Sequence, residues 1–140
     1  MSEKFKILTQ FVKDMSSETP NVETYFYVKE YLKNYNLNID ITTKPLKNRM
    51  IEIDTKLSYM DKSKSKNKSY FEITYASIVQ INEEIKDRKI IEKIILCDVQ
   101  KEIYPSLEKV FLNLLSNSGF PGIKFEKKVD FEQLYNQRLN

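Results

Sequence analysis

The first half of the chain alternates between apolar and polar residues in four separate segments. These segments cover residues 5–15, 37–43, 50–60 and 70–81. Strict alternation places successive side chains on opposite faces of a strand, so that one face meets a core and the other meets solvent. Turn-forming stretches around Pro20 and Pro45, and a lysine-rich stretch at residues 62–68, separate the segments. The pattern predicts a four-stranded antiparallel sheet.

Aromatic residues are concentrated between the first two predicted strands. They lie within eleven residues and are Tyr25, Phe26, Tyr27, Tyr31 and Tyr35. Their periodicity does not decide between a helix and a strand. Such a density of aromatic rings is typical of core filling, and it is also compatible with a groove that accepts apolar ligands.

From residue 99 onward the apolar period changes to that of a helix. The residues that form this stripe are Val99, Ile103, Leu107, Val110, Phe111, Leu114 and Leu115. Asp98 is placed to cap the start of the helix, and Gly119 is placed to end it. Pro105 lies inside the stripe, so the helix either begins there or is kinked there. The apolar face covers either the chain's own sheet or an interface between copies of the chain.

Three further segments complete the second half. Residues 82–96 mix charges with isoleucines and are compatible with a crossover that contains a short helix, and residues 123–129 are expected to be extended. Asp130 then caps a final amphipathic helix, whose apolar side carries Phe131, Leu134, Tyr135 and Leu139. Strands followed by helices predict one α+β domain over residues 1–140, with a long helix and a short C-terminal helix after the sheet.

The composition removes most catalytic chemistries. The chain of 140 residues has no His, one Cys and two Gly. It therefore lacks the ligands of a Cys/His zinc site, the imidazole of a catalytic triad and the glycines of a phosphate-binding loop. The carboxylates of Glu52 and Asp54 are expected to face solvent, and Glu83 and Glu84 are expected to point in different directions, so neither pair suits acid–base catalysis. Cys97 is expected to be a small buried residue. We expect no enzyme, cofactor or metal site.

The net charge is +3, and its excess comes from one tract that contains Lys62, Lys64, Lys66 and Lys68. One interpretation is a nucleic-acid or membrane-surface contact. The other is a solvated hairpin loop, which the absence of interleaved aromatic residues favours. A single cysteine and the absence of a long apolar run predict a cytosolic protein that does not insert into a membrane.

Four short motifs lie in order along nearly the whole chain. FVKDMSSETPN covers residues 11–21, and IYPSLEKVFLNLLSNSGFPGIKFEKKVDFEQLY covers residues 103–135. LNIDITT and FEITYASIV lie between them, at residues 37–43 and 71–79. In sequence and spacing these motifs resemble the SecB protein-export chaperones. The chain departs from that family, which is usually acidic, in its positive net charge.

The resemblance implies a SecB-like fold that assembles as a homotetramer, a dimer of dimers in which first strands pair across each dimer. It also implies an ATP-independent holdase in the cytoplasm, which binds unfolded precursor proteins in apolar grooves and delivers them to the SecA translocation motor. A holdase recognises its clients by the apolar area that they bury, without a sequence code.

The resemblance also assigns roles to individual residues. Its apolar groove positions fall on Leu37, Ile39, Ile41, Phe71, Leu134 and Tyr135. Its acidic SecA contacts fall on Asp14, Glu18 and Glu72. The alternative for Leu37, Ile39 and Ile41 is that they pack into the hydrophobic core of the chain itself and are not accessible to a client. Two other functions remain open, namely a SecB-like chaperone of a toxin–antitoxin system and a small basic nucleic-acid-binding domain.

Overall fold

A computed structural model of the protein describes residues 3–63, 67–125 and 129–138. Within them the long helix and the C-terminal helix follow the sheet, as the pattern predicts, and one further helix lies between the first two strands. The elements are β1 (Phe5–Glu18), α1 (Val22–Tyr31), a 3₁₀ turn (Leu32–Asn34), β2 (Tyr35–Pro45), β3 (Met50–Asp61), β4 (Tyr70–Ile81), α2 (Arg88–Lys93), a π turn (Ile94–Asp98), α3 (Val99–Asn117) and α4 (Phe131–Arg138).

The four strands form one antiparallel sheet in the order β1-β4-β3-β2. The predicted bounds of β4 are confirmed, and β3 extends one residue further than predicted. The first strand is longer than predicted and continues through Ser16 and Ser17 to Glu18, because these residues pair with β4. Register shifts interrupt β1 between Ile7 and Thr9 and again between Val12 and Asp14.

The central strands β3 and β4 have one face against the helices and one face without a helical cover. Odd-numbered residues of β3 and β4, such as Ile53, Leu57 and Ile73, are fully buried on the helix-covered face. The α3 stripe covers this face, and its fully buried members are Val99, Ile103, Leu107, Phe111 and Leu115. The apolar face of α3 therefore covers the chain's own sheet. We call the opposite side of the sheet the helix-free face.

The aromatic segment after β1 forms helix α1 as far as Tyr31, and its last member, Tyr35, begins β2. The side chain of Asn21 caps α1 by accepting a hydrogen bond from the backbone N–H of Thr24 at 2.8 Å. Helical geometry sends neighbouring aromatic residues in different directions, which explains why their pattern is ambiguous. Tyr25 packs against the core while Phe26 is 62% exposed.

The long helix begins earlier than its apolar stripe indicates. Asp98 was predicted to be the N-cap, and this is wrong, because Asp98 has helical dihedral angles and makes no capping hydrogen bond. Asp87 caps the helical segment instead, and its carboxylate accepts from the backbone N–H of Lys89 at 2.9 Å. The π turn joins α2 directly to α3. Pro105 lies within α3, so the helix does not begin there.

The ends of the last two helices follow the predicted chemistry. Gly119 ends α3 with a φ of +98°, and the backbone N–H of Phe120 bonds the carbonyl of Leu115, as in a Schellman motif. Asp130 caps α4 through a 3.0 Å hydrogen bond from the backbone N–H of Gln133. Residues 126–128 of the predicted extended stretch, and Leu139, lie outside the described residues. None of the described helices is long and apolar enough to cross a membrane.

Candidate functional site

An open groove of about 890 Å³ lies between the edge strand β2 and helix α4. Leu37 and Ile39 of β2 line one side, and Leu134 of α4 lines the other. Leu134 is 42% exposed, and the two β2 residues are half-buried. The structure therefore brings three of the six predicted groove residues together around one accessible space. Polar side chains form the other half of its lining, namely Lys33, Asn36, Asn38, Lys124, Asp130, Gln133 and Gln137.

Aromatic rings form the floor of this groove. Tyr35 and Tyr59 line it with their ring centroids 5.3 Å apart, and Phe125 contacts Tyr59 edge-on. The hydroxyl of Tyr35 donates to the carbonyl of Ser69 at 2.9 Å, which fixes the ring. Burial raises the pKa of both tyrosines. Tyr59 is not among the groove residues predicted from sequence. Alternation along its own strand places it on the same side as Leu57, and only the pairing of β2 with β3 brings it opposite Leu37.

Phe71 does not line the groove. Its side chain is fully buried, and it packs behind the floor against Tyr35 and Tyr59, with ring centroids 6.3 and 6.4 Å away. Phe120, from the turn after α3, contacts its other side at 5.6 Å. Phe71 therefore supports the aromatic floor from within the core.

The remaining two predicted groove residues line separate cavities. Ile41 lies further along β2, where a space of about 550 Å³ is also lined by Ile91 and Ile95 of the helical segment. Tyr135 lines a cavity of about 630 Å³, together with Ile90 and charged residues of α2. Apolar recesses thus follow β2 along its length, whereas Tyr135 belongs to a different region.

The predicted acidic residues all lie on the helix-free face. Asp14 pairs with Thr74, Ser16 pairs with Glu72 and Glu18 pairs with Tyr70 in the antiparallel register. The three carboxylates therefore occupy neighbouring positions near one end of β1 and β4. Asp14 and Glu18 are exposed, whereas the side chain of Glu72 is only 18% exposed.

Two lysines form ion pairs with carboxylates of this face. Lys13 lies at the second register shift of β1, and its ammonium group contacts Glu52 at 2.5 Å and Asp54 at 2.9 Å on β3. Hydrogen bonding to Lys13 lowers the pKa of Glu52, and the same bonds raise the pKa of Lys13. Lys56 contacts Glu72 at 2.8 Å. These ion pairs balance part of the negative charge within the face.

The sole thiol of the chain lies beside the ammonium group of Lys101, but burial has the larger effect on its pKa. Cys97 is fully buried in the π turn, and desolvation raises the pKa of its thiol, which disfavours the reactive thiolate. Among the described residues, no group of three or more His, Cys, Asp or Glu side chains is arranged to hold a metal ion.

Comparison with known proteins identifies the family. The model of the family described as preprotein translocase subunit SecB matches residues 1–140. A Pelagibacter ubique protein, named as a candidate protein-export protein SecB, is 55% identical over the whole length of both chains. The protein-export protein SecB of Parvibaculum lavamentivorans is 26% identical over 96% of this chain and 79% of its own.

A solved structure shares the fold at low identity. The SecB-like chaperone of Mycobacterium tuberculosis, determined in complex with a peptide from the HigA1 antitoxin, aligns with a TM-score of 0.65 and 10% identity. The alignment covers 90% of this chain and 88% of the other. With a family match along all 140 residues and a relative more than half identical, the chain belongs to the SecB family.

Proposed function

We propose that this SecB chaperone binds unfolded precursor proteins, without ATP, in the apolar groove between β2 and α4. The observation that carries the proposal is the accessible space that joins Leu37, Ile39 and Leu134 over a floor of tyrosine rings. A groove of this kind removes apolar side chains of a client from water and does not require a particular sequence. Binding only the unfolded form shifts the client's folding equilibrium by mass action.

Leu134→Asp tests the groove directly. Aggregation of reduced insulin, followed by light scattering, serves as the assay. Because a buried leucine contributes about 1.5 to 3 kcal/mol, the variant should require roughly tenfold more chaperone for half suppression. Ile90→Asp is the matched control, since Ile90 is 46% exposed but lines the separate cavity beside Tyr135. Equal losses of aggregation suppression in both variants would contradict the assignment of the groove as the client site. If the unmodified chain left the light scattering of insulin unchanged, the holdase function itself would be contradicted.

We further propose that Asp14, Glu18 and Glu72 form the surface that meets SecA. Their common position on the helix-free face supports this, because carboxylates there can pair with basic groups of a partner while the groove stays open to a client. Such contacts weaken with salt. Asp14→Lys combined with Glu18→Lys should weaken SecA binding at least tenfold and leave suppression of insulin aggregation unchanged. Unchanged affinity for SecA would exclude this face.

The homotetramer is also a proposal, and the edge strand β1 supports it. Among the described residues nothing pairs with the outer edge of β1, and four apolar side chains along it are exposed, namely Leu8, Phe11, Val12 and Met15. An open edge with exposed apolar side chains is a site for pairing with another chain. A cytosolic location likewise remains a prediction.

The other functions considered from sequence have less support. The export role is favoured over a toxin–antitoxin role because the 55% identical relative carries an export name, whereas the antitoxin-bound structure shares only the fold at 10% identity. For a nucleic-acid role, Lys62 and Lys68 are described but Lys64 and Lys66 are not. A salt-dependent gel shift that disappears when these lysines are neutralised would revive that role.

A further inference from the structure

Glu72 differs from the other two acidic residues of the proposed SecA surface in having both carboxylate oxygens occupied. Oε1 contacts the ammonium group of Lys56 at 2.8 Å, and Oε2 accepts a hydrogen bond from the hydroxyl of Tyr70. With 18% of its side chain exposed, Glu72 has little room for a further donor. A basic group from outside therefore has to compete with a residue of this chain.

Asp14 and Glu18 are in the opposite situation. Both are exposed, and within the described part of the chain neither makes an ion pair or a side-chain hydrogen bond. Their negative charges are available to a cation that approaches along β1. The face therefore offers two open carboxylates and one that is already paired.

Lys56 has a second acidic neighbour on its other side. Asp40 of β2 lies directly opposite Lys56 in the register, is exposed, and makes no described ion pair. Glu72 raises the pKa of Lys56 most, and the charge of Asp40 adds to the effect. Since 43% of the lysine side chain is exposed, it can turn from Glu72 toward Asp40 and still have a counter-ion.

We infer that Lys56 is an intrachain competitor that covers Glu72 in the free chaperone, so that a basic partner first contacts Asp14 and Glu18 and reaches Glu72 only when Lys56 turns to Asp40. This inference rests on the proposed SecA surface and specifies how it is engaged. Exposed lysine–carboxylate pairs are weak and exchange readily. An arginine of the partner, which can form two parallel hydrogen bonds with a carboxylate, is suited to displace the lysine.

The test measures SecA affinity for single and paired substitutions at low and moderate salt. Releasing Glu72 with Lys56→Met should tighten binding about threefold, in the range of one exposed ion pair. Glu72→Gln alone should change affinity by less than about 1.5-fold, and it should abolish the gain from Lys56→Met. Asp40→Asn should weaken binding about twofold only while Lys56 is present.

Lys6→Met is the matched control, because it removes one positive charge from the same face without releasing a carboxylate. An equal gain from Lys6→Met and Lys56→Met would overturn the inference in favour of bulk charge. If Glu72→Gln lowered SecA affinity as much as Asp14→Asn does, the inference about Lys56 would also be overturned, while the proposed SecA surface would still hold. Absence of SecA binding by the unmodified chain and by every variant would contradict both.

Discussion

At the residue scale, Gly119 meets two separate requirements at the end of α3. Its φ of +98° is in the region that favours glycine, and a Cβ built on it would lie 2.6 Å from Cε2 of Tyr25. The hydroxyl of Tyr25 donates to the carbonyl of Gly119 at 2.8 Å, so the ring is held against the turn. This contact joins α1 to the turn that carries Phe120, and through Phe120 to the aromatic residues behind the groove.

The other glycine provides a matched control for this contact. At Gly122 φ is +80°, but a Cβ there would meet nothing within 4 Å. Gly122→Ala should therefore lower the free energy of unfolding by about 1 to 2 kcal/mol for the backbone alone. Gly119→Ala should lower the free energy of unfolding by about 1 to 3 kcal/mol more than Gly122→Ala does, because Tyr25 has to move. Urea unfolding of the two variants measures the difference, and equal costs would show that the ring adapts freely.

Tyr104 makes stability depend on pH in the alkaline range. Burial raises its pKa from 10.0 to about 12, so the folded state disfavours the phenolate. Because the folded pKa is the higher one, the contribution of Tyr104 to the free energy of unfolding is fully present below pH 10. It is lost as the pH rises toward 12. The loss from this residue should reach about 1 kcal/mol by pH 11. Urea unfolding at pH 9 and pH 11 should show a smaller pH effect for Tyr104→Phe than for the unmodified chain; identical pH effects would contradict the assignment.

At the element scale, the structure shows which parts of the pattern could be read and which could not. The strands β3 and β4 pair without a register shift and were predicted to within a residue, whereas β1 contains two register shifts that disturb its alternation. The start of the long helix was missed because the π turn adds a residue and rotates the apolar face, so that Ile94–Cys97 are all buried in succession. The stripe beginning at Val99 then looks like a separate helix.

The candidate site shows the same limit. Alternation put Leu37, Ile39 and Ile41 on one face of β2, and the structure agrees. Alternation alone could not show that α4 lies opposite the first two while the helical segment after Asp87 lies opposite the third. Likewise, the motif that carried Glu72 gave no sign of Lys56, because the pair joins two strands.

Helix α4 depends on its N-cap, and this gives a prediction for the groove wall. Removing the acceptor with Asp130→Ala should destabilise the helix by about 1 kcal/mol, since caps of this kind contribute that much. Backbone amides of α4 should then exchange with solvent about fivefold faster. Asp130→Asn keeps an acceptor oxygen and should largely preserve protection. Equal exchange in the Ala and Asn variants would mean that Phe131, buried against Tyr104, holds the helix without the cap.

At the scale of the whole molecule, the sheet separates two kinds of surface. Its helix-covered side carries the apolar recesses along β2, and its helix-free side carries charges that are partly paired within the chain. A client bound on one side leaves the other side open to a partner. The outer edge of β1 is a third surface, and its exposed apolar side chains require a different occupant because they lie across the sheet from β2.

The proposed occupant of that edge is a second copy of the chain, and the mass in solution tests it. Val12 and Met15 are 41% and 48% exposed, so Val12→Lys combined with Met15→Lys should leave the fold of one chain intact. Two added charges on each edge would repel across a paired interface. Sedimentation should give about four times 16.7 kDa for the unmodified protein and a smaller particle for the variant. Val22→Lys replaces a 64% exposed apolar residue outside β1 and should keep the full mass. A full-sized particle from the double variant would place the interface elsewhere.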